Sequence, residues 1–111
     1  MIFTLDIENQ ENYLSMFRMM VMKVMAEENY SYDDIEDTKV AVGEMALIAH
    51  STNEDRIKMQ ITLKEKSMVI TIFLDKFADD DAFEMNLDII DALSEAMLRE
   101  EDRIEIIRTR P

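Results

Sequence analysis

A two-layer α+β sandwich, with a mostly antiparallel sheet and helices packed on one of its faces, is the fold class predicted by three observations. Apolar and polar residues alternate with a period of two near both ends of the chain; two long stretches between them carry apolar residues at helical spacing; and two apolar runs are separated only by Glu65 and Lys66. The chain has 111 residues, which suits a single domain over 1–111 and leaves no room for a second core. Apolar residues make up 48% and charged residues 33%, the balance of a chain that folds.

Taken in order, Ile2 to Ile7 places Phe3, Leu5 and Ile7 inward and Thr4 and Asp6 outward, a half-buried strand. From Glu8 to Glu28 the spacing becomes helical, with Tyr13, Phe17, Met20 and Val24 on one stripe and Leu14, Val21 and Met25 beside it. Tyr30 to Asp34 interrupts that pattern, and Ser31 followed by Asp34 reads as a helix start. The second helix runs to about His50. Ile35, Val42, Ala46 and Ala49 fall on one side of it and Val40, Ala41, Leu47 and Ile48 on the other, leaving a strip of Glu36, Lys39, Gly43 and His50 for water. A hairpin follows: Arg56 to Lys64 alternates strictly, whereas Ser67 to Asp75 is apolar at nearly every position, as a central strand would be. After an acidic loop at Lys76 to Asp81, Phe83, Leu87, Ile90, Leu93, Met97 and Leu98 mark a third helix, and Asp102 to Thr109 a last strand. The predicted order is β-α-α-β-β-α-β.

Charge and composition narrow the function. Lys and Arg number 12 against 25 Asp and Glu, a formal charge of −13, which repels phosphate backbones and anionic headgroups. No nucleic-acid or membrane partner is expected; a basic protein surface would be attracted, and the same excess of acid also serves solubility. There is no Cys, which removes disulfides and thiolate metal sites, and no long apolar run, so a cytoplasmic location is the expectation. The single glycine, Gly43, lies inside a helical pattern, which excludes glycine-rich phosphate loops. The single histidine, His50, reads as a polar surface residue near a helix end.

Three features carry chemistry or contact. Glu44 sits between Val40 and Ala41 one turn before it and Leu47 and Ile48 one turn after; a carboxylate there marks either an active site or a buried ion pair. Met16, Met19 and Met22 widen the apolar band of the first helix beyond one buried face. They serve either an adaptable protein contact or irregular core filling. Asp75 with Asp79, Asp80 and Asp81 forms an acidic cluster whose spacing fits no EF-hand, so a solvated loop is favoured over a divalent-cation site and no metal is expected.

The run from Tyr30 to Glu44, Tyr-Ser-Tyr-Asp-Asp-Ile-Glu-Asp-Thr-Lys-Val-Ala-Val-Gly-Glu, resembles the segment entering the nucleotide site of the bacterial RsbW-type anti-sigma serine kinases, members of the GHKL (histidine-kinase-like ATPase) superfamily. The element order resembles theirs along nearly the whole chain, which implies a Bergerat-type fold. By that resemblance Glu44 matches the general-base glutamate and Asp75 the aspartate that reads adenine. The departures are equally specific. Ile48 stands at the metal-ligand asparagine, Phe77 and Asp79 stand at the two glycines after the aspartate, and Asp81-Ala82-Phe83 leads straight into the third helix where the family carries a glycine-rich lid. An isoleucine cannot ligate Mg²⁺, which takes oxygen. Metal and oxyanion contacts are worth roughly 3–4 kcal/mol each, so several such losses weigh against ATP.

The resemblance therefore implies a degenerate relative, a pseudokinase with a deleted lid, vestigial Glu44 and Asp75, and no cofactor. Its function would be non-catalytic binding of a sigma factor or an anti-sigma antagonist in a partner-switching system that regulates transcription, as a homodimer or as a heterodimer with a related kinase, with Met16, Met19 and Met22 as contact residues. The alternative is an active serine/threonine kinase using ATP and Mg²⁺.

Overall fold

A computed structural model describes residues 1–76 and 80–111, with only the backbone at Asp80. The elements are β1 (Ile2–Glu8), α1 (Ser15–Glu27), α2 (Tyr32–Thr52), β2 (Arg56–Leu63), β3 (Ser67–Phe73), α3 (Asp80–Ala92), β4 (Ala96–Glu100) and β5 (Arg103–Thr109), with a short 3-10 turn at Glu11–Tyr13. All five strands form one antiparallel sheet in the order β1-β2-β3-β5-β4. The three helices lie on one side of it, α2 between α1 and α3. The predicted class, a two-layer α+β sandwich with an antiparallel sheet, is the one observed.

The pleat sorts the side chains. Phe3, Leu5 and Ile7 of β1 face the helices together with Ile57, Met59 and Ile61, with Met68, Ile70 and Ile72, and with Ile104 and Ile106. Phe17, Val21 and Met25 of α1 and Ala41, Met45, Ile48 and Ala49 of α2 close the core from above. On the opposite side the register aligns a row Ile2, Thr62, Val69, Ile107, Ala96 and, beside it, a row Thr4, Gln60, Thr71, Glu105, Leu98. No described element covers these rows. β3 is central, as its continuous apolar run predicts, but its second face is shielded only by neighbouring strands and not by a layer.

Local chemistry fixes the helix ends. The Ser31 side chain accepts from the Asp34 N–H at 3.1 Å, the predicted N-cap of α2, with Asp33 and Asp34 in the first turn. α1 ends in a Schellman motif: Asn29 takes φ 64°, its N–H donates to the Ala26 carbonyl, and the Tyr30 N–H donates to the Met25 carbonyl. That turn drives Tyr30 inward until its hydroxyl is buried without a hydrogen-bond partner among the described residues. Burial also pushes the Tyr30 phenol pKa up, opposed by the charge of Arg110.

Three expectations need correction. The first helix begins at Ser15 and not at Glu8, because Asn9 stays extended: its N–H donates to the Asp55 carbonyl, and its amide donates to the carbonyls of His50 and Asn53. Tyr13, outside α1, is consequently exposed and not on the buried stripe. Val40 and Leu47 are exposed as well, since one helical layer over one sheet face leaves α2 an outward side; Ala41 and Ile48 are buried as predicted. The third helix stops at Ala92, and Met97 and Leu98 belong to β4, an extra edge strand paired with β5 from Ala96↔Ile107 to Glu100↔Arg103. The observed order is therefore β-α-α-β-β-α-β-β. Arg108 of β5 is buried, donates to the Leu93 carbonyl, and lies 3.6 Å from Asp34.

Candidate functional site

α2 positions most of the residues singled out by sequence, and they do not converge on one site. Glu44 is half-buried and accepts a hydrogen bond of 2.6 Å from the Asn86 amide of α3. Among the described residues no cation lies within ion-pair distance of it, so the carboxylate is satisfied by a neutral donor and by access to water. It lines a groove of about 450 Å³ on the outer surface between α1 and α2. Leu14, Val40 and Leu47 supply the apolar part of that groove, and Arg18 and Lys39 its cations. Lys39 is held by Glu36 at 3.3 Å, whereas Arg18 has no ion pair among the described residues and lies over Gly43. A Cβ at Gly43 would meet the Arg18 guanidinium at 3.3 Å, so the glycine keeps the floor of the groove open.

Asp75 belongs elsewhere. Its carboxylate accepts from the Glu54 N–H at 2.9 Å, and its own N–H donates to the Asn53 side chain at 2.9 Å. It lines a separate depression of about 510 Å³ with Lys76, Glu101 and Asp102. Asn53 follows Glu44 by nine positions, roughly 13 Å along the helix, so Asp75 sits at the C-terminal end of α2 and Glu44 near its middle. Ile48 is fully buried in the core, and Phe83 packs partly buried against it. Phe77 and Asp79 lie outside the described residues, as does the side chain of Asp80. Among the described residues no group of three or more His, Asp or Glu is placed to hold a metal ion. His50 is half-buried, its Nδ1 2.5 Å from the Asn9 Oδ1, and so ties β1 to α2 instead of standing free at the surface.

The contact candidates do converge. Met16, Met19 and Met22 are 39%, 65% and 38% exposed. At 100° per residue they occupy a sector of about 120° centred on Met19 and opposed to Phe17, Val21 and Val24. Core filling is thus not their role. Tyr13 before α1 and Val40 and Leu47 on α2 add exposed apolar area to the same helical layer. Lys23 falls within the Met sector, between the directions of Met16 and Met19, and pairs at 2.7 Å with Glu27 at its edge; each holds the other in its charged form, with the Glu27 pKa lowered and the Lys23 pKa raised.

Sequence reasoning missed Asn9, Asn53 and Asn86. Asn53 donates to the carbonyls of Arg56 and Phe73 and accepts from Thr52 and Asp75, which joins α2, β2 and β3 at one point. A polar stretch between a helix and a strand does contain such hubs, but nothing in Ser51 to Asp55 singles out which residue turns inward.

Fold and surface together define an α+β sandwich domain whose two candidate carboxylates, Glu44 and Asp75, each accept a hydrogen bond from another part of the chain and whose methionines Met16, Met19 and Met22 share one helical sector. No protein-family model matches the chain, and no curated protein is significantly similar to it. Among the described residues no helix is long and apolar enough to cross a membrane.

Proposed function

We propose that this chain is a non-catalytic protein-binding regulator of the anti-sigma, partner-switching type, derived from an RsbW-like kinase domain that has given up ATP. The observation that carries the binding half is the outward sector of Met16, Met19 and Met22, continued by Val40 and Leu47. Unbranched thioether side chains adapt to irregular apolar partners, and a −13 chain steers toward a basic one. The partner is a sigma factor or an antagonist that presents apolar residues within a basic surface.

Three observations support the loss of ATP. Ile48 fills the core at the position where an oxygen ligand would be needed. Asp75 spends its carboxylate on the Glu54 N–H. α3 lies directly on α2, joined by the Asn86 to Glu44 hydrogen bond.

The triple substitution Met16→Lys, Met19→Lys, Met22→Lys tests the reading against purified sigma factors and their antagonists. Interface hot spots are worth about 2 kcal/mol or more, so affinity should fall at least about 30-fold while the melting temperature holds. Retained affinity would refute the assigned face. Isothermal titration with Mg-ATP should give no saturable heat; micromolar binding would restore the alternative, a kinase using Glu44.

A further inference from the structure

We propose that the groove between α3 and the outer edge of β4 docks an extended, basic peptide segment of a partner protein, which adds to the sheet as a sixth strand. The edge itself is the first reason. The sheet ends at β4, and no described strand pairs with its outer side. Only Glu101 and Asp102 separate the closing pair Glu100↔Arg103 of the β4–β5 hairpin. The closing pair of a two-residue hairpin is hydrogen-bonded and bonded pairs alternate from there, so Ala96 and Leu98 spend their backbone groups on β5. The N–H and C=O of Met97 point outward, where an added strand meets them.

The second reason is what overhangs that edge. α3 ends at Ala92 and β4 begins at Ala96, and between the two elements runs a groove of about 350 Å³. Its floor is apolar: Leu87 is buried, and Met97 is half-buried against the core. Its helical wall is acidic. Glu84, Asp88 and Asp91 fall within a sector of about 60° at 100° per residue. All three are exposed, and none forms an ion pair among the described residues. Asp81 and Arg99 also line the groove and are engaged in interactions of their own.

The spacing fits an extended ligand. Glu84 to Asp91 covers roughly 10 Å of helix, and a strand presents a side chain to one face about every 6.8 Å. Two or three Lys or Arg at alternate positions of the segment therefore lie along the acidic wall while its backbone pairs with β4. Charge also decides the occupant: a second copy, at −13, is repelled by this wall, and a basic segment is attracted. α2 stands between the groove and the methionines of α1, so this site is separate from the face assigned above.

Fluorescence anisotropy of the full chain with a labelled, end-blocked heptapeptide of alternating Lys and Val tests the proposal. Saturable binding below about 200 μM is expected at low salt, weakening as salt is added. Glu84→Gln, Asp88→Asn and Asp91→Asn together should reduce affinity about 10-fold. Glu11→Gln, Glu54→Gln and Glu65→Gln change the net charge equally from exposed positions elsewhere and should leave affinity within about twofold. The same peptide methylated at every backbone nitrogen keeps its charge but cannot donate to the edge, and should not bind. In the complex with the unmethylated peptide, the Met97 amide proton should exchange with solvent more slowly. Absence of saturation, equal binding of the methylated peptide, equal loss in the two triple variants, or an unchanged Met97 exchange rate would each overturn the proposal. Loss of binding in Met19→Lys would overturn it too, by moving the segment to the methionine sector.

Discussion

Replacing Asn53 by Ala removes a side chain that makes four hydrogen bonds at 2.9 to 3.2 Å while almost wholly buried. Its donors leave the carbonyls of Arg56 and Phe73, and its acceptor leaves the N–H of Asp75 and the hydroxyl of Thr52. A net loss of about 1 kcal/mol per bond gives a destabilisation of roughly 3–4 kcal/mol, a large part of a stability of order 5–15 kcal/mol. For a domain near 100 residues, about 4 °C per kcal/mol translates this into a melting temperature lower by roughly 12–16 °C. Urea unfolding followed by circular dichroism reads the free energy. Asn53→Asp should do no better, since a carboxylate accepts but cannot donate to the two carbonyls and adds charge beside Asp75. A loss below about 1 kcal/mol in Asn53→Ala would refute the assignment of Asn53 as the joint of α2, β2 and β3.

Tyr30→Phe deletes a buried hydroxyl that has no partner among the described residues and should stabilise the protein by about 1 kcal/mol in the same assay. Because burial raises the Tyr30 pKa above its ordinary 10.0, the unfolded chain ionises first, so the native state keeps its full stability below pH 10 and loses part of it as pH rises through the raised value. The variant should therefore unfold less steeply on the alkaline side; an identical alkaline limb would count against it. Gly43→Ala meets only the movable end of Arg18, so the helix-propensity gain should show as about 0.5–1 kcal/mol of added stability. A destabilised variant would mean that the Arg18 side chain cannot yield.

Much of the fold was legible because its elements obey one period at a time. β1, β2 and β5 alternate, β3 is continuously apolar in the centre, and Ser31 with Asp34 announces α2. β4 was not legible for a physical reason. Ala96, Met97, Leu98, Arg99 and Glu100 are all good helix formers, and Ile90, Leu93 and Met97 keep a helical spacing, so local preference and periodicity agree on a helix that pairing with β5 overrides. Glu101 and Asp102, polar residues between two short apolar alternations, were the available sign of a hairpin. At the candidate site, the surplus of methionine on α1 was readable because one buried face needs fewer apolar positions than the helix carries. The fate of Glu44 was not readable, since its partner Asn86 is 42 residues away and offers an amide, not the cation that a buried carboxylate leads one to seek.

The place of β1 in the sheet has a consequence for how the chain is made. β1 pairs only with β2, in a register that runs from Ile2↔Thr62 to Glu8↔Arg56, so after leaving the ribosome it waits for residues synthesised some 50 to 60 positions later. At about 5–20 residues per second that wait lasts roughly 3–12 s. Throughout it the nascent chain carries an alternating apolar strand with open hydrogen-bonding edges. Asp6, Glu8 and Glu11 then act as gatekeepers, keeping neighbouring nascent chains from pairing with it before its own partner arrives.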